Sequence, residues 1–281
     1  MNSMIFYQII KKEKGDLVEY SIFIIFLIGL ILGSFLNMLI YRLPLNIPLM
    51  NPKRSTCTVC THTIKWYENI PVLSYILLKG KCSNCHTKIS LMYPIVELIA
   101  AFITTVLYIK IGLSLEFYFL VFIFYTLIVL SFIDFKYKAV PDYLLILVVC
   151  SSLIYIYIYK IQNIETFFIF AGGIFMIDLF VTFYVQNIKA YFLKDDTLKM
   201  QKALGEGDIP IIALIGGILG LQFGLIAIFL SAILAIIPSI INIILNKEIE
   251  TPFIPYLSLA LFIVYINQTS ITLLLKGLHL L

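Results

Sequence analysis

Apolar residues run along this chain in blocks of roughly 18 to 25, separated by short polar stretches, and that block length fits a bilayer crossing. The blocks fall at 18–43, 91–111, 114–134, 142–160, 164–187, 209–221, 223–245 and 253–275. Residues 209–245 form one apolar run too long for a single span, and Gly220-Leu221-Gln222-Phe223-Gly224 supplies the break. The pattern predicts an all-α polytopic membrane protein of about eight transmembrane helices, the sixth of them short.

Composition agrees and excludes an ordinary soluble domain, because 61% of residues are hydrophobic and only 13% charged. The one long interruption predicts three regions: 1–43 with the first helix, a loop domain at 44–90, and a membrane-embedded core at 91–281. Positive charge orients them. Lys53, Arg54, Lys65, Lys79, Lys81 and Lys88 crowd the loop against the single acid Glu68, with Arg42 at its edge, so the loop is predicted to be cytoplasmic. Alternation then puts Lys136, Lys138, Lys189, Lys194, Lys199 and Lys202 on the same side, whereas Lys11, Lys12 and Lys14 fall on the other. The apolar stretch Ile5–Ile10 is too short for the core of a cleavable signal, so the first helix is expected to be its own anchor.

The loop holds Cys57-Thr58-Val59-Cys60 and, some twenty residues on, Cys82-Ser83-Asn84-Cys85. Two such pairs place four thiolates where two knuckles can wrap one tetrahedral zinc ion. A reducing cytoplasm favours metal over disulfides, and the competing reading is a pair of redox motifs. His62 and His86 are near enough to compete as ligands, but four thiolates already close a structural site, leaving no open position for catalysis. Cys150 stands alone in a span and is expected to be a buried apolar residue.

Two acids stand out where apolar segments meet what should be one membrane face: Asp134, and Asp208 in the tetrad Gly205-Glu206-Gly207-Asp208. A carboxylate near hydrocarbon costs on the order of 3 kcal/mol unless something pairs or uses it. Two held close cannot both ionise cheaply, so they share a proton, as an aspartyl protease requires. Gly205 and Gly207 give the backbone around Asp208 room for an extended substrate. Taken singly, Asp208 could be a helix cap, Asp134 a partner of Lys136 or Lys138, and Asp142 a first-turn acid after Pro141. Asp178 lies mid-span, where a snorkelling or interhelical hydrogen bond is expected. A different class, a polytopic transporter or a zinc- or redox-sensing membrane protein, would put its acids at the midplane, and only Asp178 fits that.

The segments Gly33-Ser34-Phe35-Leu36-Asn37-Met38-Leu39-Ile40-Tyr41-Arg42-Leu43-Pro44, Glu68-Asn69-Ile70-Pro71-Val72-Leu73-Ser74-Tyr75, Gly80-Lys81-Cys82 and Tyr93-Pro94-Ile95-Val96-Glu97-Leu98 resemble the N-terminal half of bacterial type IV prepilin peptidases. Asp134 with Pro141-Asp142, the Gly205-x-Gly207-Asp208 motif and Pro252-Phe253-Ile254-Pro255-Tyr256 are similar to the C-terminal half, in family order. Pro210 stands where the family often has Lys, and the first knuckle lacks a proline common after its first cysteine. Pro210 still suits the first turn of a helix begun at Asp208. The resemblance implies a multi-pass enzyme of the bacterial inner membrane with its active site facing the cytoplasm. It implies Asp134 and Asp208 as catalytic residues, and prepilins or pseudopilins as substrates, cut after a short basic leader. N-methylation of the new terminus by S-adenosylmethionine follows in many members. Glu97 is then a candidate for methyl transfer or for a structural bond, Asn37 and Arg42 are expected to cap structure, and no nucleic acid is expected as a partner.

Overall fold

The computed structural model describes residues 2–49, 55–193, 205, 207–245 and 251–277. Lys53, Arg54, Lys194, Lys199 and Lys202, counted above for orientation, and Glu206 of the tetrad lie outside the described residues. Among the described residues regular structure is helical, apart from two isolated β-bridges in the cysteine loop. The chain divides into two compact units, Met1–Val129 and Leu130–Leu281.

In the first unit α1 (Asn2–Arg42) is followed by the cysteine loop, with a 3-10 turn at Trp66–Asn69 and the short α2 (Leu73–Leu77), and then α3 (Met92–Ile111). The first helix therefore begins earlier than its apolar block, although the part long and apolar enough to cross a membrane is Glu19–Arg42. α1 and α3 meet through small residues four apart, which is how helices pack when lipid removes the hydrophobic drive between them. A Cβ on Gly29 would lie 2.5 Å from the Ala101 Cα, and one on Gly33 would lie 2.7 Å from the Glu97 Cα. Backbone cannot step aside as a flexible side chain can. Gly33→Leu should therefore destabilise the pair by about 3 kcal/mol, read as a lower denaturation midpoint of the purified protein in detergent; an unchanged midpoint would contradict the pairing. Further along, the Tyr108 hydroxyl donates to Ser21 Oγ at 2.9 Å. α4 (Leu115–Tyr137) joins through a 2.6 Å bond between the Thr104 and Tyr125 hydroxyls.

The second unit holds the end of α4 and then α5 (Asp142–Tyr159), α6 (Ile164–Phe183), a π-helical stretch Tyr184–Lys189, α7 (Ala190–Leu193), α8 (Asp208–Ile244) and α9 (Ile254–Gly277). Seven described stretches are long and apolar enough to cross a membrane. One of them, Asp208–Asn242, is not a straight helix, because Gly220 has φ 77° and ψ −179°. Gly216 and Gly224 would be about 12 Å apart along a continuous helix, yet a Cβ on Gly224 would lie 3.5 Å from the Gly216 Cα. The chain therefore turns back at Gly220, a conformation open to glycine because it has no Cβ. Counting the arms 208–219 and 221–244 separately recovers the eight helices read from sequence. The first arm is only about 18 Å long.

Cys150 corrects an expectation, since it is exposed on the protein surface. On a transmembrane helix that surface faces hydrocarbon, so an apolar side chain has no need of protein cover. Asp178 accepts a hydrogen bond from Thr182 Oγ1, one turn along its own helix, at 3.4 Å.

Candidate active site and metal centre

Asp134 lies in the last turn of α4, near the end of a span and 8% exposed. Its Oδ2 accepts the N–H of Ile254, the first residue of α9, at 3.3 Å. The first turn of a helix carries N–H groups without intrahelical partners and the positive end of the dipole, so a carboxylate is held there favourably. One turn away on both helices Ser131 Oγ donates to Ser258 Oγ at 3.1 Å, which fixes the register that brings Ile254 to Asp134.

Asp208 is the first residue of α8 and 7% exposed. Its N–H donates to the Gly205 carbonyl at 3.0 Å, closing a turn that aims the carboxyl back over Gly205. A Cβ on Gly205 would lie 3.0 Å from Asp208 Oδ2, and one on Gly207 would lie 2.8 Å from Val140 Cγ2 and 3.3 Å from Ile254 Cδ1. Both glycines are thus close-approach positions, and Gly207 packs on the residue whose N–H holds Asp134. Ile254 thus links the two acids, with its N–H on Asp134 and its side chain against the residue before Asp208. Ile254 lies at one end of this cluster and Asp208 at the other end of the intervening chain. A straight α8 would separate its ends by about 55 Å, so the reversal at Gly220 is what lets α9 begin beside Asp134.

Asp142 starts α5 as its first-turn acid and is exposed. Both clustered acids sit at helix ends, while Asp178 alone lies mid-span. Ile254, Ser131 and Ser258 were not among the site residues read from sequence; the only signal for Ile254 was the Pro252-Phe253-Ile254-Pro255 stretch, where two prolines bracket a helix start.

In the loop the two knuckles repeat one another. Cys57 N–H bonds to the His62 carbonyl and Cys82 N–H to that of Thr87, both at 2.9 Å, and Thr61 (φ 57°) matches His86 (φ 58°). Both carry β-bridges at their bases, Thr56 to Thr63 and Lys81 to Lys88. The four sulfurs of Cys57, Cys60, Cys82 and Cys85 lie within 4.8 Å of one another, with Cys57–Cys85 at 3.8 Å and Cys60–Cys82 at 4.0 Å. Thiolates about 2.3 Å from a tetrahedral ion have their sulfurs about 3.8 Å apart, so the set fits a zinc-sized ion. The Cys85 thiol is pushed down to about 6, foremost by the Thr87 hydroxyl 3.2 Å away. Cys57 is held below the ordinary range by backbone groups of Cys60 and Val59. The His62 backbone favours a Cys60 thiolate too, but burial and the neighbouring sulfurs Cys85 and Cys57 leave that thiol above its usual value. A bound cation removes that conflict.

Glu97 is buried and accepts the Val72 N–H through Oε2 at 2.7 Å. Val72 has φ 60° and ψ −48°, and its neighbours close a three-residue γ-turn through Leu73 N–H to the Pro71 carbonyl. A β-branched residue rarely adopts positive φ, so the carboxylate stabilises a strained turn. Asn37 Nδ2 donates to the Tyr93 carbonyl at 2.9 Å, and Arg42 Nη1 caps the Pro48 and Leu49 carbonyls at 3.0 and 2.7 Å.

Comparison with known proteins is in register with this layout. Residues 27–111 match the bacterial peptidase A24 N-terminal domain, and residues 121–240 match the type IV leader peptidase family. A prepilin leader peptidase/N-methyltransferase of Vibrio cholerae serotype O1 is 35% identical over 228 residues, covering 78% of this chain and 86% of the relative. Proteins of the same name from Pseudomonas putida and Bacillus subtilis are 30% and 29% identical, covering 86% and 88% of this chain and 88% and 95% of theirs. No solved structure matches the chain.

Proposed function

The chain belongs to the prepilin leader peptidase/N-methyltransferase family, and we propose that it is a membrane aspartyl endopeptidase that removes the basic leader from prepilins or pseudopilins and then N-methylates the new terminus. The observation that carries the peptidase reading is that Asp134 and Asp208 both stand at helix ends around Ile254, one on its N–H and the other next to Gly207, which packs on its side chain.

The pair shares one proton. The ionised member takes a proton from water, which attacks the scissile carbonyl. The protonated member donates to the developing oxyanion and later helps protonate the leaving amine. The Ile254 N–H holds the Asp134 carboxyl in position. Gly205 and Gly207 keep side chains away from Asp208, leaving the approach to an extended peptide. Lys65, Lys79, Lys81 and Lys88 on the cysteine loop, with Lys136 in the last turn of α4 and Lys138 just after it, support a cytoplasmic location for the loop and both acids in a bacterial inner membrane. A substrate with its basic leader in the cytosol and an apolar helix in the bilayer then presents its cleavage point at this boundary.

Cys57, Cys60, Cys82 and Cys85 would hold a structural zinc ion that folds the two knuckles. S-adenosylmethionine would supply the methyl group. We assign Glu97 to holding the Val72 turn, and so to shaping this cytoplasmic face, ahead of direct contact with the methyl donor.

Methyl transfer to an amine has no need of a water-activating pair. Asp208→Asn protein given an already trimmed pilin should therefore still methylate it, whereas a Cys57→Ser/Cys60→Ser variant should lose methylation more than cleavage. Labelled methyl incorporation checks both. No incorporation by the wild-type protein would leave a peptidase alone, and equal loss of both activities in the cysteine variant would make the loop a general folding element.

A further inference from the structure

The segment 66–77 lies outside the spans, yet it is apolar on the side it shows to its surroundings. Leu73, Ile76 and Leu77 fall at i, i+3 and i+4 of α2, on one face, and are 50%, 64% and 70% exposed. Trp66, in the 3-10 turn that packs on α2, is 75% exposed, with Tyr67 edge-on to it at 5.7 Å. Tyr75 accounts for the opposite face, turned inward with its hydroxyl donating to the Ile89 carbonyl. An apolar patch of this kind on a polar loop marks a docking surface.

Its position relative to the bilayer follows from one hydrogen bond. Val72, the residue before α2, is held by Glu97, which is five residues into the span that begins at Met92. At 1.5 Å per residue that is about 7 Å from the start of the helix. The exposed face of α2 is thus held beside the first turns of an apolar span, at the edge of the bilayer. Indole and phenol rings favour that boundary, and exposed Lys65 and Lys79 flank the segment, suited to anionic headgroups.

We propose that residues 66–77 are seated in the membrane interface, with Trp66, Leu73, Ile76 and Leu77 at the boundary of headgroups and acyl chains. The occupant of the patch is the lipid surface. The cysteine knuckles are thereby anchored flat on the bilayer instead of hanging from it on two helix ends. This rests on α1 and α3 crossing the membrane and is independent of the peptidase reading.

Trp66 is the single tryptophan of the chain and reports directly. The test uses the full-length protein in nanodiscs of phosphatidylcholine, with or without phosphatidylglycerol, and with acyl chains brominated near the headgroup. Bromolipid should quench most of the Trp66 emission and aqueous iodide little, more clearly with the anionic lipid. Glu97→Ala, and separately Leu73→Gln/Ile76→Gln/Leu77→Gln, should reverse both responses, while Glu97→Gln, whose amide oxygen still accepts the Val72 N–H, should match the wild type. Strong iodide quenching without bromolipid quenching in the wild type would overturn the proposal. So would an emission shielded from both, which means protein covers the patch, or shielding that appears only when a prepilin is added, which makes it a substrate surface.

Discussion

Asp134→Asn or Asp208→Asn alone is expected to lower prepilin cleavage by at least about 1,000-fold, within the range by which positioned acids and bases accelerate proton transfer. Each carboxyl has its own part, one drawing a proton from water and the other donating to the oxyanion and leaving amine, so neither compensates for the other. Both residues lie at the ends of intact spans, and an amide is close in size to a carboxyl, so membrane insertion and zinc content should be unchanged. In Asp134→Asn the side-chain oxygen can still accept the Ile254 N–H, which keeps α9 in place and makes lost activity a chemical effect. Asp142→Asn, exposed in the first turn of α5, should keep substantial activity. A gel-shift assay of leader removal by membranes carrying each variant decides the matter; normal cutting by Asp134→Asn together with inactive Asp142→Asn would move the first aspartate to position 142.

The second large effect concerns the knuckles. Purified protein should carry about one zinc per chain, because four sulfurs within 4.8 Å close a tetrahedral site. Replacing Cys57 and Cys60 by serine should release it and raise hydrogen exchange from residue 55 to residue 89, with α1 and α3 remaining protected. Structural zinc contributes about 10 kcal/mol or more to folding when it is the main organiser of a small domain. Here the loop is tied down as well by the Glu97–Val72 bond and by Arg42 on the Pro48 and Leu49 carbonyls, so its base should persist as the knuckles loosen. Metal analysis finding no zinc in freshly reduced protein would refute the assignment.

The sequence alone was enough for features whose cause is local. Apolar block length determines a bilayer crossing, so the spans were legible, as was the turn at Gly220, where a glycine pair interrupts an overlong run. Ligand spacing determines a knuckle, so the four cysteines were legible before any fold was known. Asp208 announced itself through glycines within three residues of it. Tertiary structure decided what depends on distant chain. The partner of Asp134 is a backbone N–H 120 residues away, and it reaches the acid only because α8 doubles back, which no local pattern around Asp134 encodes. The hydrogen-bond partner of Glu97 is likewise distant, a strained valine 25 residues earlier. Whether Cys150 faced protein or lipid was equally beyond hydropathy, since hydrocarbon and protein interior are both apolar and a span's outward face carries the same residues as its inward one.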